Sequence, residues 1–131
     1  DAEIVLPESD EDLQVLADPQ RLEQVVVNLL LNALDATAST PTRRVEIRIE
    51  DLGAQCRLTV RDHGTGIPEA VIPHLFEPFF TTKSSGQGLG LGLAISAGII
   101  RDFGGNLSGA NHPDGGAEFV LRLPLAGNDA A

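Results

Sequence analysis

Apolar positions at helical spacing open the chain's clearest pattern. Leu22, Val25, Val26, Leu29, Leu30, Ala33 and Leu34 recur every three or four residues and predict a helix with one buried face. Asp18 is placed to cap it, Pro19 suits its first position, and Ser39-Thr40-Pro41 ends it. Val45, Ile47 and Ile49 then alternate with Glu46, Arg48 and Glu50. Cys56, Leu58 and Val60 alternate with Arg57, Thr59 and Arg61. Both stretches read as half-buried strands joined by a turn at Gly53. The same parity carries Asp62 to the apolar side. Ahead of the helix, Ile4 to Leu6 and Leu13 to Leu16 read as two short strands or a hairpin, separated by the acidic stretch Glu8 to Asp12.

Gly64, Gly66 and Pro68 break the second strand, and a helical turn fits Glu69 to Leu75. Residues 76–90 are loop-like and rich in glycine. Leu91 to Phe103 is apolar nearly all round and reads as a buried helix ended by Gly104-Gly105. Leu107 to Asn111 and Glu118 to Leu125 predict a hairpin across Pro113-Asp114-Gly115-Gly116, with Ala117, Phe119, Leu121, Leu123 and Leu125 on one face. The predicted fold class is α+β: a two-layer α/β sandwich with a mixed, mainly antiparallel sheet of about five strands and the helices packed on one face. Residues 1–126 form one domain, and 127–131 read as a disordered tail.

Composition narrows the function. The 131 residues carry a net charge of −10, which repels DNA and other polyanions. Any anionic ligand needs a cation and local donors. No apolar run approaches the roughly 20 residues of a membrane span, so no direct membrane contact is expected. The start, Asp1-Ala2-Glu3, has no signal-peptide character and reads as a piece of a longer protein. The single cysteine, Cys56, reads as a small core residue in a reducing, cytoplasmic setting.

Four segments carry candidate chemistry. Asn28 and Asn32 lie one turn apart at the edge of the apolar stripe. They either satisfy backbone groups and water, or the side-chain oxygen of Asn32 ligates Mg²⁺, which takes oxygen ligands. Asp62 is either a turn-initiating aspartate or an inward carboxylate that needs donors. In the second case, Gly64 and Gly66 leave space for a planar base whose exocyclic amine donates to it. Gly86 to Gly92 leads into a helix, where backbone N–H groups and the helix N-terminus suit phosphate. It lacks both the Walker spacing and the strand that precedes a dinucleotide fingerprint. Leu75 to Lys83 holds three of the five phenylalanines. They read either as a hydrophobic plug packing the loop onto the core, or as anchors, Phe79 and Phe80, of a lid from which Thr82 and Lys83, the one lysine, would reach phosphates. His63, His74 and His112 read as surface or loop residues.

In this order the four segments resemble the Bergerat-type ATP-binding fold of histidine kinases, type II topoisomerases, heat-shock chaperone ATPases and mismatch-repair ATPases. Arg21 to Ala33 is similar to the histidine-kinase N box and Asp62 to Ile67 to the first glycine box. Leu75 to Lys83 resembles the F box and Gly88 to Gly92 the second glycine box. The resemblance implies ATP and Mg²⁺ as cofactors, with Asn32 as metal ligand and Asn28 shaping the phosphate side. It implies Asp62 as adenine acceptor, with Gly64, Gly66 and Ile67 beside the base. Phe80, Thr82, Lys83, Gln87, Gly88, Leu89, Gly90, Leu91 and Gly92 would surround the phosphates. ATP-hydrolysing relatives carry a water-activating glutamate where Asn28 stands, so the resemblance favours a kinase. Departures are His63, Thr65 and Ala117, the last putting the water network near adenine in doubt.

Ile99 to Gly105 with Gly115 to Phe119 is similar to sensor kinases of the C4-dicarboxylate-transport and nitrogen-regulation type. The implied partners are a phosphoacceptor helical hairpin of the same protein, homodimeric at full length, and a response regulator. Nucleic acid is not a partner. The domain would be cytoplasmic, with the parent anchored in the bacterial inner membrane. A regulatory nucleotide-binding module and a Bergerat ATPase are the alternative readings.

Overall fold

The computed structural model describes residues 3–5, 15, 17–38, 41, 43–78 and 92–125. Strand β1 (Glu3–Val5) precedes helix α1 (Pro19–Ala36). Asp18 caps α1 as expected, its side chain accepting from Gln20 N–H at 3.0 Å. At the other end, buried Thr37 donates its hydroxyl to the Leu34 carbonyl at 2.9 Å. Strands β2 (Arg44–Asp51) and β3 (Gln55–Asp62) form the predicted hairpin. A 3-10 turn, Ile72–His74, occupies the expected place. Helix α2 (Gly92–Asp102) ends where Gly104 N–H reaches the Arg101 carbonyl and Gly105 N–H the Ile100 carbonyl, the glycine-closed helix end read in the sequence. Strands β4 (Asn106–Asn111) and β5 (Ala117–Pro124) pair antiparallel.

The sheet order is β1-β2-β3-β5-β4, with β1 parallel to β2 and the other neighbours antiparallel. The five-stranded mixed sheet is as predicted, but the possible N-terminal hairpin is not what the described residues form. Ile4 faces Val45 in β2, whereas Val15 makes an isolated bridge to Leu125 at the end of β5. The reason is topological: parallel strands need a crossover, and α1 supplies it between β1 and β2.

Val25, Leu29 and Ala33 of α1 and Ile99 and Ile100 of α2 pack on Val45, Val60, Phe119, Leu121 and Leu123 of the sheet. Ala117, Phe119, Leu121, Leu123 and Leu125 are all buried, as their parity predicted. Cys56 is a core residue, and burial pushes its thiol above the usual range. The all-round burial expected of α2 does not hold, since Ile95 is 46% exposed. Among the described residues the fold has two layers, and the outer side of a helix in such a fold is left without a third layer.

Candidate functional site

Asp62 closes β3 opposite Val45, facing the helices. It is 2% exposed, and a carboxylate in that position needs donors. The backbone supplies two: Gly64 N–H at 2.9 Å and Ala117 N–H at 3.1 Å, both to Oδ1. Oδ2 receives no hydrogen bond among the described residues. The space left by the missing side chain of Gly64 is taken by protein: a Cβ there would stand 2.4 Å from the Ala36 carbonyl oxygen. Gly64 therefore lets the end of α1 approach the loop after β3. Gly66, with φ 84°, and half-buried Ile67 continue that loop.

Asn28 and Asn32 are half-buried on α1, at the margin of its core face. Asn28 Nδ2 donates to Ser96 Oγ of α2 at 3.2 Å. A Cβ on Gly92 would stand 2.6 Å from Asn28 Oδ1. The first residue of α2 is thus a glycine because the Asn28 amide fills the place of a side chain. The helices run antiparallel, and the Arg21–Asp102 ion pair at 3.1 Å joins their other ends. Arg21 also lies 5.6 Å from the Phe103 ring centroid.

The structure therefore places Asn28 and Gly92 in contact and seats Asp62, Gly64, Gly66 and Ile67 on one loop beside the end of α1. Phe80, Thr82, Lys83, Gln87, Gly88, Leu89, Gly90 and Leu91 lie outside the described residues. Of the phenylalanine-rich segment, Phe76 packs edge-on to Phe119, with centroids 6.5 Å apart. An open groove of about 410 Å³ also follows α1 and α2, lined by Val27, Asn28, Leu31, Gly92, Ile95 and Ser96 among others. Asp62 is not in its wall, so this groove is not the space that the carboxylate faces.

Sequence reasoning missed Ser96 and the parts played by Ala117 and His63, two positions it had named as departures. Ser96 is the polar residue one turn into α2, a visible signal. Ala117 contributes through its backbone N–H, which no side-chain pattern reveals. His63, read as a loop residue, sits 2.6 Å from Glu46 Oε1 through Nε2 and is tied by its N–H to the Arg44 carbonyl. The His63 hydrogen bond, helped by Arg44 and Arg61, holds the Glu46 carboxyl below its ordinary value of 4.5 against the opposing effect of burial.

Residues 17–127 match the family described as histidine kinase-, DNA gyrase B- and HSP90-like ATPase. The two-component sensor PprA of Pseudomonas aeruginosa is 43% identical over 95% of this chain, which spans 14% of that protein. The C4-dicarboxylate transport sensor protein DctB of the same organism is 47% identical over 88% of the chain, spanning 19% of it. The expected likeness to C4-dicarboxylate sensors is therefore present, and the chain spans under a fifth of the length of both relatives. Among solved structures, the nucleotide-free catalytic domain of histidine kinase ThkA superposes with a TM-score of 0.81 at 36% identity, covering 94% of this chain and 78% of that one. Full-length ShkA in complex with AMPPNP gives 0.79 at 30% identity, covering 95% and 26%.

Proposed function

The chain belongs to the histidine kinase-, DNA gyrase B- and HSP90-like ATPase family, and on that premise we propose that it binds Mg²⁺–ATP and donates the γ-phosphoryl group to a histidine on a separate helical hairpin. Asp62 carries this reading. Its Oδ1 is held by two backbone donors and its Oδ2 is left to accept from a ligand. An adenine exocyclic amine is a donor of the right kind for a buried carboxylate.

The remaining residues fit roles around the phosphates. The Asn32 amide oxygen is a hard donor suited to Mg²⁺. Among the described residues no cluster of three or more His, Cys, Asp or Glu offers another metal site, which fits an ion held mostly by phosphate and water. When bound, Mg²⁺ offsets phosphate charge. The first N–H groups of a helix have no intrahelical partner, so the start of α2 at Gly92 is proposed for phosphate, and Lys83, Thr82, Gln87, Gly88 and Gly90 for the outer phosphates. Asn28 donates to Ser96 and its amide cannot take a proton from water. The site therefore positions the phosphoryl group without activating water, and phosphoryl transfer depends mainly on positioning.

The wider proposal concerns the parent protein: a homodimeric two-component sensor kinase whose own hairpin carries the acceptor histidine and passes the phosphoryl group to a response regulator. It would be anchored at the inner membrane with this domain in the cytoplasm. No helix among the described residues is long and apolar enough to cross a membrane.

Calorimetry with Mg²⁺–ATP tests the site. Wild type binds, and Asp62→Asn weakens binding roughly ten- to a hundredfold, because an amide can present a donor where an acceptor is needed. Unchanged affinity would remove Asp62 from the base. With γ-labelled ATP, the purified hairpin of the parent becomes labelled and this chain does not. Label on the chain, or steady phosphate release, would replace the kinase reading.

A further inference from the structure

Both ends of the loop from Asp62 to Ile67 are held by the same hairpin. At its start, Asp62 Oδ1 accepts from Ala117 N–H at 3.1 Å. At its end, Asn111 Oδ1 accepts from Ile67 N–H at 2.6 Å, and Asn111 Nδ2 donates to the Ile67 carbonyl at 2.8 Å. Asn111 closes β4, Ala117 opens β5, and the two are register partners. The Asn111 side chain thus pairs with the Ile67 backbone as an adjoining strand would, where no strand continues.

Two close approaches fit the loop to this hairpin. A Cβ on Gly66 would stand 3.0 Å from Asn111 Oδ1, at a φ of 84° that suits glycine. A Cβ on Gly116 would stand 2.0 Å from the Asp62 carbonyl oxygen. The turn is braced in its own right. His112 N–H donates to Gly116 O at 2.9 Å, Asp114 N–H to His112 Nδ1 at 3.0 Å, and the Arg61 guanidinium to Gly115 O at 3.3 Å.

We propose that the β4–β5 hairpin is a two-point clamp on the loop that receives the adenine, with Asn111 as the positioning residue that fixes Gly66 and Ile67 beside the base. This rests on the reading of Asp62 as the adenine acceptor. With Asn111 truncated, Gly64 and Ala117 still hold the Asp62 carboxylate, but the far end of the loop loses both of its ties. A wall that must be ordered on binding costs affinity. The cost falls on the base, since Asn28, Asn32 and Gly92 lie on other elements.

The test is Asn111→Ala in the whole chain, read two ways. In hydrogen exchange followed by NMR, with no nucleotide present, the Ile67 amide exchanges at least about tenfold faster. The Val60 and Leu121 amides, paired within the sheet, keep their protection. In calorimetry, adenosine and Mg²⁺–ADP both weaken by the same factor, about three- to tenfold for the lost pair of hydrogen bonds. Asn111→Asp still accepts from Ile67 N–H, so its Ile67 protection lies between wild type and alanine. Unchanged Ile67 exchange in Asn111→Ala overturns the clamp, as does an aspartate variant no better protected than alanine. Faster exchange with unchanged affinity, or a loss confined to ADP, overturns its role at the base. If wild type binds neither ligand, the adenine reading falls and takes the proposal with it, while the exchange result still shows whether Asn111 holds the loop.

Discussion

Two carboxylates at neighbouring strand ends, Glu46 and Asp62, are settled in opposite ways. Asp62 points inward and takes backbone N–H donors. Glu46 points outward and takes the His63 ring, with Arg44 and Arg61 nearby. The pair lies on the strand register one step from Asp62, so it steadies the backbone from which the inward carboxylate projects. Its energetic signature is a pH dependence. The folded-state pKa of Glu46 is depressed from 4.5. The stabilisation is therefore fully present above the unfolded value and is lost as pH falls through the lower folded value. Urea unfolding should show Glu46→Gln less stable than wild type at pH 7, with the gap closing below about pH 4.5. A gap independent of pH would mean that the contribution is not ionic.

The pairing of α1 with α2 shapes the side of the site proposed for phosphate. The two helices are patterned independently and are joined by the Asn28 amide against Gly92, the Asn28–Ser96 hydrogen bond and the Arg21–Asp102 ion pair. Gly92→Ala would push a methyl group to within 2.6 Å of Asn28 Oδ1. The helices must separate or Asn28 must turn away from Ser96. The expected result is a loss of about 1–3 kcal/mol in urea unfolding, with weaker Mg²⁺–ATP binding than that loss alone explains. Unaltered binding in a folded variant would detach Asn28 from the phosphate site. The outward sides of the helices carry Val27 at 46%, Leu31 at 59% and Ile95 at 46% exposure, apolar residues that contribute nothing to the core.

The described residues form a β1–α1–β2 crossover joined to an antiparallel β3–β5–β4 sheet, with α1 and α2 packed on one face. Its net charge of −10 opposes an anionic nucleotide at long range, while the local donors act only at contact. Salt should therefore speed association of Mg²⁺–ATP, because screening acts on the distant repulsion first. Stopped-flow association rates between about 20 and 150 mM ionic strength measure this, 150 mM corresponding to a Debye length of about 8 Å. A rate that falls with salt would mean that a local positive field dominates the approach.

Periodicity and turn residues along the chain were enough to place α1, the β2–β3 and β4–β5 hairpins and the inward face of β5, and they offered the inward turn of Asp62 as one of two readings. Each of these depends on which side of one element a residue occupies, and neighbours in sequence determine that. The partner of β1, the exposure of Ile95, the Asn28–Gly92 contact and the Asn111–Ile67 bonds were decided only when the elements met. Each joins groups far apart in sequence, or depends on how many layers cover a helix. The glycine at position 64 shows the difference most plainly: its residue type marks a close approach, but only the assembled fold reveals that the approaching group is the last carbonyl of α1.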